Sequence, residues 1–224
     1  MHTGKLIVIV VSLALLFCAI ELLQKKNRRK RIMNEPFPPE WLGIIEKNVA
    51  LYRLIPKELK KNLLGFTRVL IAEKNFEGCG GLEMSDEIKV TIAAQAAMLL
   101  LNGRPHFFPR VDSILVYPHP YVAERPSGIG YNISEQLALL GESSIRGAVV
   151  IAWDHARQSD INDSSGHNVV LHEFAHQLDQ EDGRGDGVPL LSSWSNYKSW
   201  GRVLGREYDR LRENVRSGVS DVID

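Results

Sequence analysis

From Leu6 to Leu23 the chain is apolar except for Ser12 and Glu21, and six basic residues follow at once: Lys25, Lys26, Arg28, Arg29, Lys30 and Arg31. No other stretch restricts the fold as strongly. A run of this kind is close to the length a helix needs to cross a bilayer, if slightly short. Only Lys5 and the amino terminus precede it. The positive-inside bias therefore predicts an uncleaved transmembrane anchor over residues 1–24, with its N-terminus outside. That reading implies a single-pass protein of the inner membrane, its soluble domain facing the cytoplasm. A cleaved secretory signal would carry basic residues before the apolar core and small residues after it. Glu21-Leu22-Leu23-Gln24-Lys25-Lys26 stands there instead. The third alternative is a buried helix of a soluble domain, and the abrupt charge cluster weighs against it.

The formal net charge of +0 hides a split, because residues beyond Arg31 carry 20 Lys and Arg against 26 Asp and Glu, a net of −6. An acidic body gives no encouragement to direct nucleic-acid binding. The basic cluster is better explained by anionic headgroups beside an anchor. With 44% hydrophobic and 24% charged residues, the 224-residue chain is neither disordered nor collagen-like. Its two cysteines, Cys18 and Cys79, cannot form a disulfide framework.

Residues 25–39 read as a basic, Pro-rich linker containing Pro36, Pro38 and Pro39, and residues 40–224 as one domain. Trp41, Leu42, Ile45, Val49 and Tyr52 recur at helical spacing, and Pro56 opens a second helix running toward Glu73. Ser85 has the chemistry of an N-cap, with Asp86 and Glu87 in the first turn behind it. The stretch Val90 to Leu101 is apolar nearly all round, so that helix is expected at the centre of the core, ended by Asn102-Gly103. Two short runs, Ser113 to Tyr117 and Ala148 to Trp153, read as strands. Helices are expected again from Asn168 to about Gln180 and from Ser195 to Arg216. The fold class is α+β: mainly helical, with a small sheet.

The chemistry is concentrated in His172-Glu173-Phe174-Ala175-His176. Four residues are about 1.1 turns of helix, so the two imidazoles share a face and can converge on one zinc ion. Zinc supplies Lewis acidity, and Glu173 is placed to take a proton from water and hand it to a leaving amine. Val169, Val170, Leu171, Phe174, Ala175 and Leu178 give the helix an apolar face to bury. The competing interpretation is two surface histidines on an amphipathic helix. A catalytic zinc site usually takes a third protein ligand. Asp182, six residues past His176, is the in-chain candidate, but Asp179 stands where the extended three-histidine motif requires a chain-turning Gly. A carboxylate at such a helix end is more often a cap or a partner for an imidazole N–H. Glu207 and Glu213 read as solvated surface. His106, His119, His155 and His167 receive no role, nor do Tyr197 and Tyr208. The strand near Val149 to Trp153 reads equally as a core strand or as an edge that pairs with extended substrate.

The segment Asn168 to Asp179, with the Asp182-Gly183 turn and Gly187-Val188-Pro189, resembles the Mlc-titration-factor-A family of zinc-dependent peptidases. Three upstream stretches are similar to the same family: Val90 to Ala96, Ser113 to Pro118 and Ala148 to Asp154. The likeness spans roughly residues 39–224. It implies a gluzincin-type, zincin-like metallopeptidase domain with aminopeptidase-like activity on peptides and one bound Zn2+. His172 and His176 would be ligands and Glu173 the general base. It implies a transcriptional repressor as a further partner. It also implies a third ligand from a Glu in an Asn-Pro-Ala-Glu-Phe-Phe-like helix. No such motif precedes Asp224, so either that Glu lies beyond it, with the C-terminal part of the domain missing here, or the chain is a weak or inactive relative that has lost a ligand; the first is the expectation. The N-terminal anchor departs from soluble members of the family. The alternative function is a non-catalytic module of the same fold that sequesters a transcriptional regulator. A purely structural zinc site would need four closed ligands and finds no Cys pair.

Overall fold

Three parallel strands form the only sheet among the described residues, in the order β1-β2-β3, and helices supply the rest of the fold. The computed structural model describes residues 2–101, 105–120, 147–157, 168–183, 185–191 and 193–219. In chain order the elements are α1 (His2–Asn34), α2 (Pro39–Asn48), a 3-10 turn (Ala50–Leu54), α3 (Lys57–Glu73), β1 (Asn75–Gly78) and α4 (Asp86–Met98). There follow β2 (Ser113–Tyr117), β3 (Ala148–Ala152), α5 (Trp153–Arg157), α6 (Val169–Asp179), a 3-10 turn (Gln180–Asp182) and α7 (Trp194–Ser217).

The centre is α4. Ser85 caps it by accepting a hydrogen bond from the Ile88 N–H at 3.3 Å. Ile88 and the whole stretch from Val90 to Ala97 are buried. A helix apolar on every side needs cover on every side, and α4 finds it against α2, α3, α5 and α6. The expected end at Asn102-Gly103 lies outside the described residues. Parallel strands require a crossover, and α4 lies between β1 and β2 in the chain. The register pairs Phe76 with Ile114 and Ile114 with Val149, and buries Ile114, Val116, Val149 and Ile151. Gly78 closes β1 where any Cβ would stand 1.9 Å from the Leu82 carbonyl oxygen, so the chain can turn there only with glycine.

The N-terminal expectation needs correction. Among the described residues no helix is long and apolar enough to cross a membrane. Glu21 interrupts the apolar run, and the basic residues from Lys25 onward belong to the same continuous helix. The transmembrane helix, and the single-pass inner-membrane placement that followed from it, are therefore overturned. Two residues of the basic cluster, Arg28 and Arg29, have partners inside the molecule. Arg29 makes a two-pronged bond to Glu73 at the end of α3, Nε to Oε1 at 2.9 Å and an Nη to Oε2 at 2.7 Å. Its guanidinium lies 4.5 Å from the centre of the Phe107 ring. Arg28 donates to the Ala72 carbonyl at 3.3 Å. Ile32 is buried, and Gly65 lets α1 approach so closely that a Cβ there would stand 3.2 Å from that of Met33. Residues 25–34 are thus the last turns of a helix fastened to α3.

Candidate metal centre

Asn168 starts α6, its side-chain oxygen accepting from the Leu171 N–H at 2.8 Å. Val170 and Phe174 are completely buried, and Val169 and Leu178 pack beside them. Burying that stripe turns the opposite face outward, and His172 and His176 are exposed on it. Their Nε2 atoms stand 3.1 Å apart, with ring centroids separated by 4.6 Å and planes at 89°. Zinc–imidazole bonds of 2.0–2.1 Å at a tetrahedral angle would separate the two nitrogens by about 3.4 Å. The donor pair fits such an ion.

Glu173 lies between them in the sequence and is half-buried. Burial pushes its carboxyl above the ordinary range, and the charges of His172 and His176 pull in the opposite direction. The structure gathers no third donor: among the described residues there is no group of three or more His, Cys, Asp or Glu side chains able to hold a metal. Asp182 is exposed in the turn after α6 and does not join the pair. Asp179 has one carboxylate oxygen buried without a hydrogen-bond partner, one turn beyond His176.

The far end of α6 is braced by the loop before β2, which sequence reasoning missed. Arg110 donates to the Gln180 carbonyl at 2.7 Å, and His106 Nδ1 lies 3.1 Å from a Glu181 carboxylate oxygen. Phe108 packs edge-on against Phe174, centroids 4.7 Å apart. Phe107 and Phe108 both have positive φ, 56° and 48°, conformations that bulky residues adopt only when packing holds them. Lys74 fastens the same loop by donating to the Phe108 and Val111 carbonyls, each at 2.7 Å, and burial lowers its pKa to about 8. None of this has a local signal, because each contact joins residues more than thirty positions apart.

Strand β3 is an edge of the sheet among the described residues and packs against α6. His119 pairs with Asp154 at 3.1 Å, His155 is exposed, and His167 lies outside the described residues. The Tyr197 hydroxyl accepts from the Leu191 N–H at 3.1 Å, and Glu207 pairs with Arg210 at 2.9 Å. Tyr208 is exposed beneath Arg212.

The family model described as Glucose-regulated metallo-peptidase M90 matches residues 23–224. The chain belongs to the M90 metallo-peptidase family. It is 35% identical over 205 residues to an uncharacterized protein of Synechocystis sp., which covers 88% of this chain and 73% of that protein. It is 26% identical over 180 residues to Mlc titration factor A of Escherichia fergusonii, covering 79% of this chain and 66% of that one. Mlc titration factor A of Klebsiella pneumoniae is 31% identical over 145 residues, 63% of this chain and 54% of its own length. The chain thus spans between 54% and 73% of the length of these curated relatives. M90 membership makes this a metallopeptidase-like chain and implies a metal.

Proposed function

We propose that this chain carries part of a zinc-dependent peptidase centre, in which His172 and His176 bind one zinc ion, Glu173 is the general base and the substrate is a peptide. The observation that supports it is the approach of two imidazole Nε2 atoms to 3.1 Å across one helical turn, with a half-buried carboxylate between them in the chain. Zinc, when bound, supplies Lewis acidity toward water and the peptide carbonyl. Burial makes the Glu173 carboxylate a stronger base than an exposed one. It can take the proton of the attacking water and deliver it to the leaving amine. β3, an edge of the sheet among the described residues, offers backbone groups that an extended peptide can pair with. A third donor completes the usual set, expected as a Glu.

The test is peptide hydrolysis by the zinc-loaded protein. Glu173→Gln is expected to lower it about 100-fold or more while zinc uptake persists. Undiminished hydrolysis would show that this carboxylate has no part in the reaction. A second reading, a non-catalytic module that binds a transcriptional regulator, draws on the relatives' name, Mlc titration factor A, and on the absence of a third gathered donor among the described residues. It expects partner binding to survive His172→Ala.

A further inference from the structure

Gln95 is completely buried in the middle of α4, a place where an amide persists only if its hydrogen bonds are made. Its Nε2 donates to the Ala156 carbonyl at 2.9 Å, and its Oε1 accepts from Asn168 Nδ2 at 2.8 Å. Asn168 in turn accepts from the Leu171 N–H at 2.8 Å, and its carbonyl accepts the His172 N–H at 2.9 Å. The direction of this chain is set at both ends. The Ala156 carbonyl can only accept, so Gln95 must turn its NH2 that way and its oxygen toward Asn168. The Leu171 N–H can only donate, so Asn168 must turn its oxygen to the helix and its NH2 to Gln95. Neither amide can flip without setting like groups against each other.

We infer that Gln95 is the positioning residue of the metal helix: acting through Asn168, it fixes the start of α6 against the core and so sets where His172 and His176 stand. The inference rests on the proposed metal reading for its functional half. The linkage runs from the most buried helix to the residue one turn before the first histidine. It also ties in the end of α5, which follows directly from β3. Depth and rotation of α6 are therefore referred to α4 and to the helix that follows β3. Capping alone would not need this arrangement, since Asp and Ser cap as well as Asn does.

That difference supplies the experiment. Asn168→Asp and Asn168→Ser each keep a cap acceptor for Leu171 and remove the NH2 that Gln95 binds. Zinc affinity by chelator competition and amide hydrogen exchange are measured on the 224-residue chain and both variants. The expected result is zinc binding weakened about tenfold, with faster exchange in α6 and unchanged exchange in α3 and α4. Wild-type zinc affinity in both variants would overturn the inference, whether or not α6 exchange changes. So would opening of α3 and α4 together with α6, because the link would then be general support for the core. If the wild type takes up no zinc while both variants loosen α6 alone, the anchoring stands and the metal reading fails.

Discussion

Removing the Glu73 carboxylate as Glu73→Leu should cost about 3–5 kcal/mol, because it strands Arg29 in a partly buried site. The Glu73 side chain is 7% exposed and that of Arg29 is 19% exposed, so water cannot replace the lost partner cheaply. Lys25 and Lys74 add positive charge near the same point and would then repel Arg29 without the Glu73 carboxylate between them. Arg29→Met should cost less, since the carboxylate it leaves keeps both lysines nearby. The double variant should recover most of the loss, as replacing a buried pair by apolar groups is often neutral. Burial pushes Glu73 up, but the hydrogen bonds and charge of Arg29 outweigh it and hold the carboxyl below the ordinary range. Between that lowered value and the ordinary one, the unfolded chain binds more protons than the folded one. The contribution is therefore complete at neutral pH and is lost as pH falls through the folded value. Urea unfolding of the four proteins at pH 7 and at a series of acidic pH values measures it. A cost below about 1 kcal/mol for Glu73→Leu, independent of pH, is what an exposed pair would give. That result would refute the claim that these turns of α1 are fastened to α3.

Two further outcomes concern α6. Phe174→Ala should destabilise the protein by about 3–5 kcal/mol in chemical denaturation, since a completely buried ring is lost together with its contact to Phe108. Glu173 has the opposite sign from Glu73: its folded carboxyl is raised, so the folded state holds the proton longer and stability falls as pH rises through that window. Metal-free Glu173→Gln should therefore be more stable than wild type at pH 7 and equal to it in acid, where the wild-type carboxyl is protonated. Equal stability at both pH values would contradict the assigned burial.

Elements whose cause is local were readable in the sequence. The Ser85 cap, the all-round apolar run of α4 and the alternation in Ser113 to Tyr117 each determine their structure within a few residues, and α4 and β2 formed there. The His172 and His176 pairing was readable for the same reason, one helical turn being enough to bring them together. β1 was missed because Asn75-Phe76-Glu77-Gly78 is a polar edge strand with little of the apolar alternation that marks strands. The end of α1 was misread because Arg29 and Glu73 are 44 residues apart, so an arginine bound for an internal carboxylate looks the same as one bound for lipid. Gln95 gave no warning for a similar reason. Its partners, Ala156 and Asn168, lie 61 and 73 residues away.

Zinc stoichiometry tests the account most directly, measured by titrating the metal-free 224-residue chain and its His172→Ala and His176→Ala variants. One equivalent bound by the wild type, with uptake lost or greatly weakened in each variant, is the predicted result. Uptake that ignores both substitutions, or no uptake by the wild type, would contradict the claim that this turn of α6 is a metal centre.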